Sequence, residues 1–308
     1  MYSSEKHPEL GPHSHSFRSL KLLNAPVAKL AIPQTFPNMK VEFPVSVASY
    51  ACLSAGGQLY ELRLKCLDGS SMFEGYTDLS QLGRFRSLIL NDEVTRLYTN
   101  VYFTLNSNTK LMEEIFPEEL NYLEDHFKNR LHRQEFTEVN MEDFSENISQ
   151  NIPMVFKRYP SGKLTNALTQ NMLNNRGMAL SLSCEKGLGL QLRELPEGRV
   201  IIVAGGTGLL PFSDLIDLLF KAEYAQSRPE FRKRFCEVSP VLSAPFLPKN
   251  SFRLFAAFES LDDVHKLTLL QLAFLASSKR VEVTLRLSRP APEAAQKKLN
   301  FRFVRDRF

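Results

Sequence analysis

The sequence predicts an antiparallel β-barrel followed by an α/β part that contains a parallel sheet. Residues 41–197 contain short apolar segments separated by turn residues, a pattern typical of antiparallel strands. Residues 198–308 alternate strand-like and helix-like segments, which is typical of parallel strands joined by right-handed helical crossovers. The length of 308 residues exceeds the usual size of a single domain and agrees with two cores.

The N-terminal residues 1–40 are predicted to form an extended arm that wraps a protein partner. They are rich in Pro, His and Ser and show no sustained periodicity. The chain has no N-terminal signal core and no apolar run of about 18 residues, so neither secretion nor a membrane span is predicted. Its four cysteines lie far apart without a CxxC pair, so no metal site is predicted. These features predict an intracellular protein, cytoplasmic or mitochondrial.

The barrel is predicted from the segments FPVSVASYACL, LYELRLKCL and FRSLILN. Turn signals separate these segments at Gly56 and Gly57 and again at Asp68 and Gly69. Farther along, IPMVFKRYPSGKLTNALTQNML predicts a strand, a turn and a short helix, and MALSLSCEKGLGLQL predicts two closing strands.

An acidic segment at about 106–150 interrupts this β-pattern. Its apolar residues recur at helical spacing in Leu120, Leu123, Phe127 and Leu131. We therefore expect a helical insertion within the barrel part. Its acidic side chains make it a candidate contact surface for a protein partner.

The α/β part opens with RVIIVAGGTGLLP, which predicts a buried strand, a glycine-rich turn and a helix. Gly205, Gly206 and Gly208 let a backbone approach a phosphate closely, and the N-terminus of the following helix would point at that phosphate. A tight strand-to-helix connection also needs glycine for its geometry alone, so both interpretations stay open.

The segment AGGTGLLPF is similar to the AGGTGxxP motif that opens the nucleotide domain of the ferredoxin-NADP reductase and cytochrome b5 reductase superfamily. This resemblance implies a flavin-binding barrel followed by a Rossmann-like domain, with FAD and NAD(P)H as cofactors. It implies that Thr207 lies near the nicotinamide and the flavin. By the same resemblance, Gly205, Gly206 and Gly208 shape the pyrophosphate turn.

Upstream, YPSGKLTNAL resembles the family's segment in which backbone amides and a hydroxyl hold the FAD pyrophosphate. The matching residues are Gly162, Lys163, Leu164 and Thr165. The NH groups at a helix N-terminus have no partner within the helix and suit a phosphate, to which Thr165 can donate. A capped helix after a turn is the alternative interpretation of the same residues.

The residues Arg96, Leu97, Tyr98 and Thr99 resemble the family's RxY(S/T) pattern. The resemblance implies that Arg96 pairs with a phosphate, that Tyr98 packs on the flavin or ribityl chain, and that Thr99 faces the ring. Thr99 and Thr207 are therefore the residues predicted beside the reacting atoms. An exposed strand that carries an Arg and an amphipathic Tyr is the alternative.

The last part of the sequence departs from the family pattern. LFAAFESLDDV and VEVTLRLSRP resemble the second and third strands of the nucleotide domain, but the family's later strand ending in CGP has no counterpart. Cys184 and Glu185 also replace a GP pair expected after LSLS. Because a misplacement of roughly an ångström can cost about a hundredfold in rate, we expect an incomplete site for hydride transfer.

Two functions are therefore predicted. The first is a flavin-dependent oxidoreductase that carries electrons between NAD(P)H and an acceptor through FAD. The second is a catalytically impaired accessory or structural subunit of a larger respiratory or cytoskeletal assembly, retaining FAD. A basic tail from Lys279 onward would contact either an acidic partner or solvent. The near balance of 38 basic and 34 acidic residues argues against nucleic acid as the main partner.

Overall fold

The computed structural model describes residues 42–54, 56–67, 82–91, 93–101, 109–131, 151–173, 178, 180–192, 197–238, 250–299 and 304–305. These residues belong to one compact unit. The predicted arm at 1–40 lies outside them, as do residues 106–108 and 132–150 of the predicted insertion and residues 300–303 and 306–308 of the basic tail. No helix in the described part is long and apolar enough to cross a membrane.

The first half of the structure, here called the barrel half, is a curled sheet of antiparallel strands in the order β4-β3-β6-β1-β2-β5. The strands are β1 Glu42–Cys52, β2 Leu59–Cys66, β3 Phe85–Asn91, β4 Val94–Thr99, β5 Asn151–Lys157 and β6 Leu180–Ser183. The two outer strands meet where Asn100 bridges Met154, so the sheet curls into a barrel around Leu62, Leu88 and Leu182. The predicted antiparallel barrel is confirmed.

The barrel half also carries helices α1 Thr109–Ile115, α2 Pro117–Leu131 and α3 Lys163–Leu173. Helix α3 follows β5 after a short turn and therefore begins beside the end of that strand. Its Leu164 and Leu168 are buried in the main hydrophobic core, which fixes the helix against the barrel.

The second half, here called the α/β half, is a parallel sheet in the order β10-β9-β8-β7. Its strands are β7 Arg199–Gly205, β8 Ser251–Phe258, β9 Val281–Leu287 and β10 Val304–Arg305. Its helices are α4 Ser213–Ser227, α5 Arg232–Val238, α6 Lys266–Leu275 and α7 Glu293–Lys298, with 3-10 helices at Gly206–Phe212, Pro229–Phe231 and Leu261–Asp263. The predicted parallel sheet with connecting helices is confirmed.

The order of these strands decides which face of the sheet the helices cover. Each strand lies on the same side of the one before it, so right-handed crossovers place the connecting helices on a single face. On that face Phe252, Leu254 and Ala256 of β8 are buried in the core. A sheet of this kind is wound in one direction only.

Strand β7 departs from the prediction that it is buried. Ile202 is 6% exposed and faces the helices, but Ile201 is 61% exposed and Val203 is 76% exposed. The apolar run IIV suggested burial on both faces, which is typical of a central parallel strand. Among the described residues β7 is instead the outermost strand of the sheet and has helices on one face, so its side chains alternate between core and surface.

The acidic segment packs on the chain's own α/β half. Leu120 and Leu123 of α2 are buried in the same core as the helices of the parallel sheet. At the surface, Glu114 accepts hydrogen bonds of 2.8 Å from Arg234, which lower the pKa of its carboxyl, and Glu124 lies 2.9 Å from Lys266. These two acidic groups belong to the segment predicted to contact a protein partner, and they are paired within the molecule.

Candidate functional site

A cavity of about 380 Å³ lies where the barrel half meets the α/β half. Its wall is formed by residues from the end of β4, the end of β5, the turn into α3, and the turn after β7. They are Arg96, Leu97, Tyr98, Thr99, Val155, Phe156, Lys157, Tyr159, Gly162, Lys163, Leu164, Thr165, Thr207, Leu210 and Pro211. We call this the large cavity; its volume lies in the range of sites that bind cofactors.

The end of β4 supplies one wall of the large cavity. Arg96 is exposed, and its guanidinium donates a hydrogen bond of 2.7 Å to the Thr95 carbonyl. Burial raises the pKa of Tyr98 to about 12, so this phenol stays protonated and neutral at physiological pH. A charged group at the mouth and a neutral aromatic ring behind it suit a ligand with one phosphate end and one flat apolar end.

The turn before α3 is shaped by a close approach between Gly162 and Thr165. A Cβ at position 162 would come closer than 3.0 Å to the Thr165 hydroxyl, so only glycine fits. That hydroxyl accepts a 3.3 Å bond from the Tyr159 NH and lies 3.3 Å from the Gly162 carbonyl. The Thr165 hydroxyl, predicted to donate to a phosphate, is therefore engaged with its own turn in this structure.

The same turn leaves backbone NH groups directed toward the cavity end of α3. The first bond inside the helix runs from the Asn166 NH to the Gly162 carbonyl at 2.9 Å. The NH groups of Lys163, Leu164 and Thr165 precede that bond and have no acceptor within the helix. Since all three residues line the cavity, this helix terminus can hold an anion there.

The glycine-rich turn after β7 forms the opposite wall. Gly206 has a φ of +51°, a left-handed conformation that favours glycine. A Cβ at Gly205, Gly206 or Gly208 would meet no atom within 4 Å, so open space lies beside this backbone. The chain then forms a 3-10 helix, and α4 begins only at Ser213. The predicted α-helix terminus at the glycines is therefore displaced by one 3-10 segment.

A second, smaller cavity of about 50 Å³ lies at the carboxyl ends of β7 and β8. It shares Lys157, Thr207 and Leu210 with the large cavity, so these three residues form the wall between the two. Ligands of open parallel sheets bind at the carboxyl ends of the strands. Thr207 is thus placed between a large cavity and the end of the parallel sheet.

An ion pair closes one side of the smaller cavity. The Lys157 ammonium lies 3.5 Å from a carboxylate oxygen of Asp263, and the other oxygen accepts bonds from the NH and hydroxyl of Ser260. His265 lies beside them, and burial lowers its pKa to about 3, so its ring is neutral at physiological pH. Its Nδ1 lies 3.2 Å from the Thr268 hydroxyl.

The structure thus brings the three predicted segments together: RLYT, the turn into α3, and Thr207 of the glycine-rich turn line one cavity. Gly205 and Gly208 do not line it, and Gly206 lines the smaller cavity. Sequence reasoning missed Lys157 and Tyr159. A lysine that ends the apolar run IPMVF, directly before a predicted phosphate turn, was the available signal.

The chain is similar to several solved structures. One of them is the structure of the CS-b5R domains of human Ncb5or. The match covers 82% of this chain and 53% of that structure, at 19% identity and a TM-score of 0.46. Against the FAD/NAD-binding domain of nitric oxide dioxygenase from Vibrio cholerae, the coverages are 82% and 77%, with 11% identity and a TM-score of 0.45. The cytochrome b5 reductase domain of Ulva prolifera nitrate reductase gives 83% and 77%, with 15% identity and a TM-score of 0.45.

The chain spans about half the length of the human structure. No protein-family model matches the sequence, and no curated protein matches it. In this chain a curled antiparallel sheet is followed by a parallel sheet with helices.

Proposed function

We propose that this protein binds FAD in the large cavity and carries electrons from NADH or NADPH through it to an acceptor. The observation that supports the proposal is that three separate segments of the chain meet at one cavity. Three segments that are far apart in the sequence, each of which resembles a motif of the reductase superfamily, line one cavity of about 380 Å³. A chance resemblance in any single segment would not bring all three segments to the same cavity.

The residues of the large cavity fit such a cofactor. The free NH groups at the start of α3 and the ammonium of Lys163 would hold the diphosphate. The Arg96 guanidinium would add a second positive charge, and the neutral ring of Tyr98 would pack on an apolar surface. The flavin would supply a centre that accepts hydride from a nicotinamide and passes electrons onward.

The smaller cavity is the proposed entry for the nicotinamide nucleotide. Thr207 would face both ligands because it lines both cavities, and Lys157 would pair with a phosphate of the nucleotide. A volume of about 50 Å³ is far too small for a dinucleotide. Binding therefore requires the segment that carries Asp263 to move and release Lys157.

An accessory subunit that retains FAD is the second candidate function. The closed smaller cavity favours it, and so does the position of β7 at the edge of the sheet. Among the described residues, no strand lies beyond β7 to bring a further turn against the nicotinamide. A protein of this kind would bind FAD without being reduced by either nucleotide.

An absorption spectrum of the purified full chain, followed by anaerobic addition of NADH or NADPH, separates these functions. We expect flavin bands near one cofactor per chain and bleaching of those bands by at least one of the two nucleotides. A flavin that stays oxidised with both nucleotides supports the accessory role and contradicts the reductase. A chain that contains no flavin and takes up none when FAD is added contradicts both.

The substitution Gly162→Ala tests the assignment of the large cavity. The added Cβ would collide with the Thr165 hydroxyl and reshape the turn before α3, so we expect flavin affinity to fall at least about tenfold. The exposed neighbour in the same turn provides a matched control, Ser161→Ala, which should keep its flavin. Flavin content per folded chain is the readout, and a folded Gly162→Ala protein with normal flavin content would remove FAD from this cavity.

A further inference from the structure

The outer edge of β7 is an open hydrogen-bonding edge. The Ser251 NH donates a 3.0 Å bond to the Gly198 carbonyl, which shows that the even-numbered residues of β7 turn their backbone groups toward β8. Since successive residues alternate, Arg199, Ile201, Val203 and Gly205 turn their NH and carbonyl groups away from the sheet. No described residue pairs with these outward groups.

Among the described residues, Arg199 is the one protective charge on this edge, which otherwise lacks the features by which proteins usually protect an edge strand. The strand RVIIVAG has no lysine, no proline and no bulge in its pairing with β8. Its outward-turned residues include Ile201 and Val203, whose side chains are largely exposed on the face of the sheet that lacks helices. The same face also carries ion pairs of Glu282 with Arg199 and Arg253. At Ile201 and Val203, however, an unpaired edge lies beside exposed apolar side chains, which is typical of a surface that another strand covers.

The sequence of β7 can pair with itself in an antiparallel register. When two copies pair with Ile202 opposite Ile202, the outward groups of Ile201 face those of Val203 of the second copy. Arg199 then faces Gly205, beside which a Cβ would meet no atom, so the arginine has room and meets no like charge. Every outward NH and carbonyl of the strand finds a partner in this register.

We propose that β7 is the dimerisation strand of this protein, pairing antiparallel with β7 of a second copy about a two-fold axis at Ile202. The pairing joins the two parallel sheets into one continuous sheet. It covers Ile201 and Val203 with each other, and symmetry makes the contact closed. It also places Arg199 of the second copy beside Gly205, at the start of the glycine-rich turn of the first.

Light scattering and sedimentation of the full chain over a range of concentrations test the dimer. We expect twice the monomer mass for the wild type, and the monomer mass for Val203→Lys, which places a charge in the pairing strand at a largely exposed position. Ala294→Lys adds the same charge on an exposed position of α7 and should remain dimeric. A wild-type chain that is monomeric up to about 100 µM, a range in which specific dimers form, overturns the proposal, as does a Val203→Lys protein that stays dimeric.

Cross-linking tests the register without relying on a destabilised variant. In the proposed pairing, residues 201 and 203 of different copies lie opposite each other with Cα atoms about 5.5 Å apart, within the disulfide range of about 4.4 to 6.8 Å. The double substitution Ile201→Cys and Val203→Cys should therefore form a covalent dimer on mild oxidation. Val203→Cys alone should not, because its counterpart lies at least about 7 Å away on the diagonal. Equal cross-linking of the single and double variants, or of the wild type, contradicts this register.

Discussion

At the scale of single residues, a buried ionic group fixes two helices of the α/β half. The Lys221 ammonium lies 2.5 Å from a carboxylate oxygen of Asp217, whose other oxygen accepts a 2.7 Å bond from Gln271. All three side chains are almost fully buried between α4 and α6. Because desolvation offsets most of the attraction in such a pair, we infer that the group fixes the alignment of the helices more than it adds stability.

His265 has a measurable consequence for stability against acid. Its pKa is about 3 in the folded protein, below the value of about 6.5 for an exposed histidine, because burial disfavours the charged ring. The unfolded chain therefore binds one more proton between these values. As the pH falls from about 6.5 toward 3, this residue lowers the free energy of unfolding by about 1.4 kcal/mol per pH unit, a loss that is absent above pH 6.5.

The substitution His265→Asn removes the titrating ring and keeps a polar side chain next to Thr268. We expect a pH dependence of the urea unfolding free energy that is shallower by about one proton between pH 4 and 6. The substitution Ser277→Asn, at an exposed position, is the control and should leave the pH dependence of the unfolding free energy unchanged. An equal slope in His265→Asn and the wild type would show that the ring is not held neutral in the fold.

At the scale of elements, helix α2 behaves as part of the core. Leu123 is 1% exposed, while Asn121 on the same helix faces solvent. Replacing a buried leucine by alanine costs about 2 to 5 kcal/mol because apolar surface is lost and a cavity remains. We therefore expect Leu123→Ala to lower the free energy of unfolding by that amount.

Urea unfolding of the Leu123→Ala protein checks this expectation. The control is a separate Asn121→Ala protein, in which a side chain is removed from the exposed face of the same helix. Asn121→Ala should stay within about 0.5 kcal/mol of the wild type. If both changes were equally mild, α2 would be a detachable segment whose apolar face awaits a partner.

The elements also show what the sequence could predict. The strand, turn and helix of RVIIVAGGTGLLP follow from local pattern, because apolar β-branched residues, glycines and a helical period are read from neighbours in the chain. The exposure of Val203 could not be read in this way, since it depends on which strand lies beyond β7. The same limit explains Lys157, whose place in the wall between the cavities arises from the meeting of the two halves.

At the scale of the whole molecule, the two halves are joined by apolar and polar contacts around the cavities. Leu210, from the glycine-rich turn, packs on a buried cluster that includes Leu59 and Val155 of the barrel. The Gly56 NH donates a 3.0 Å bond to the Asp262 carbonyl, and Lys157 pairs with Asp263. The segment after β8 is therefore bound to the barrel at the mouth of the smaller cavity.

If NAD(P)H enters through the smaller cavity as proposed, Asp263 competes with the nucleotide phosphates for Lys157. The substitution Asp263→Asn removes the competing charge but keeps an oxygen for the Ser260 NH. We expect roughly threefold to tenfold tighter binding of NAD⁺ or NADP⁺, measured by calorimetry on the flavin-loaded protein, with a steeper dependence on salt.

The neighbouring carboxylate gives the matched control for this experiment. Asp262→Asn removes the same charge one position away but leaves the Lys157 ion pair in place. Tighter binding in Asp263→Asn alone identifies the ion pair as the group that limits entry of the nucleotide. Equal tightening in both variants would instead reflect a general loss of negative charge. When Lys157→Met is added to Asp263→Asn, the tighter nucleotide binding should disappear if the lysine is the group released, because then no ammonium is left for the phosphates to bind.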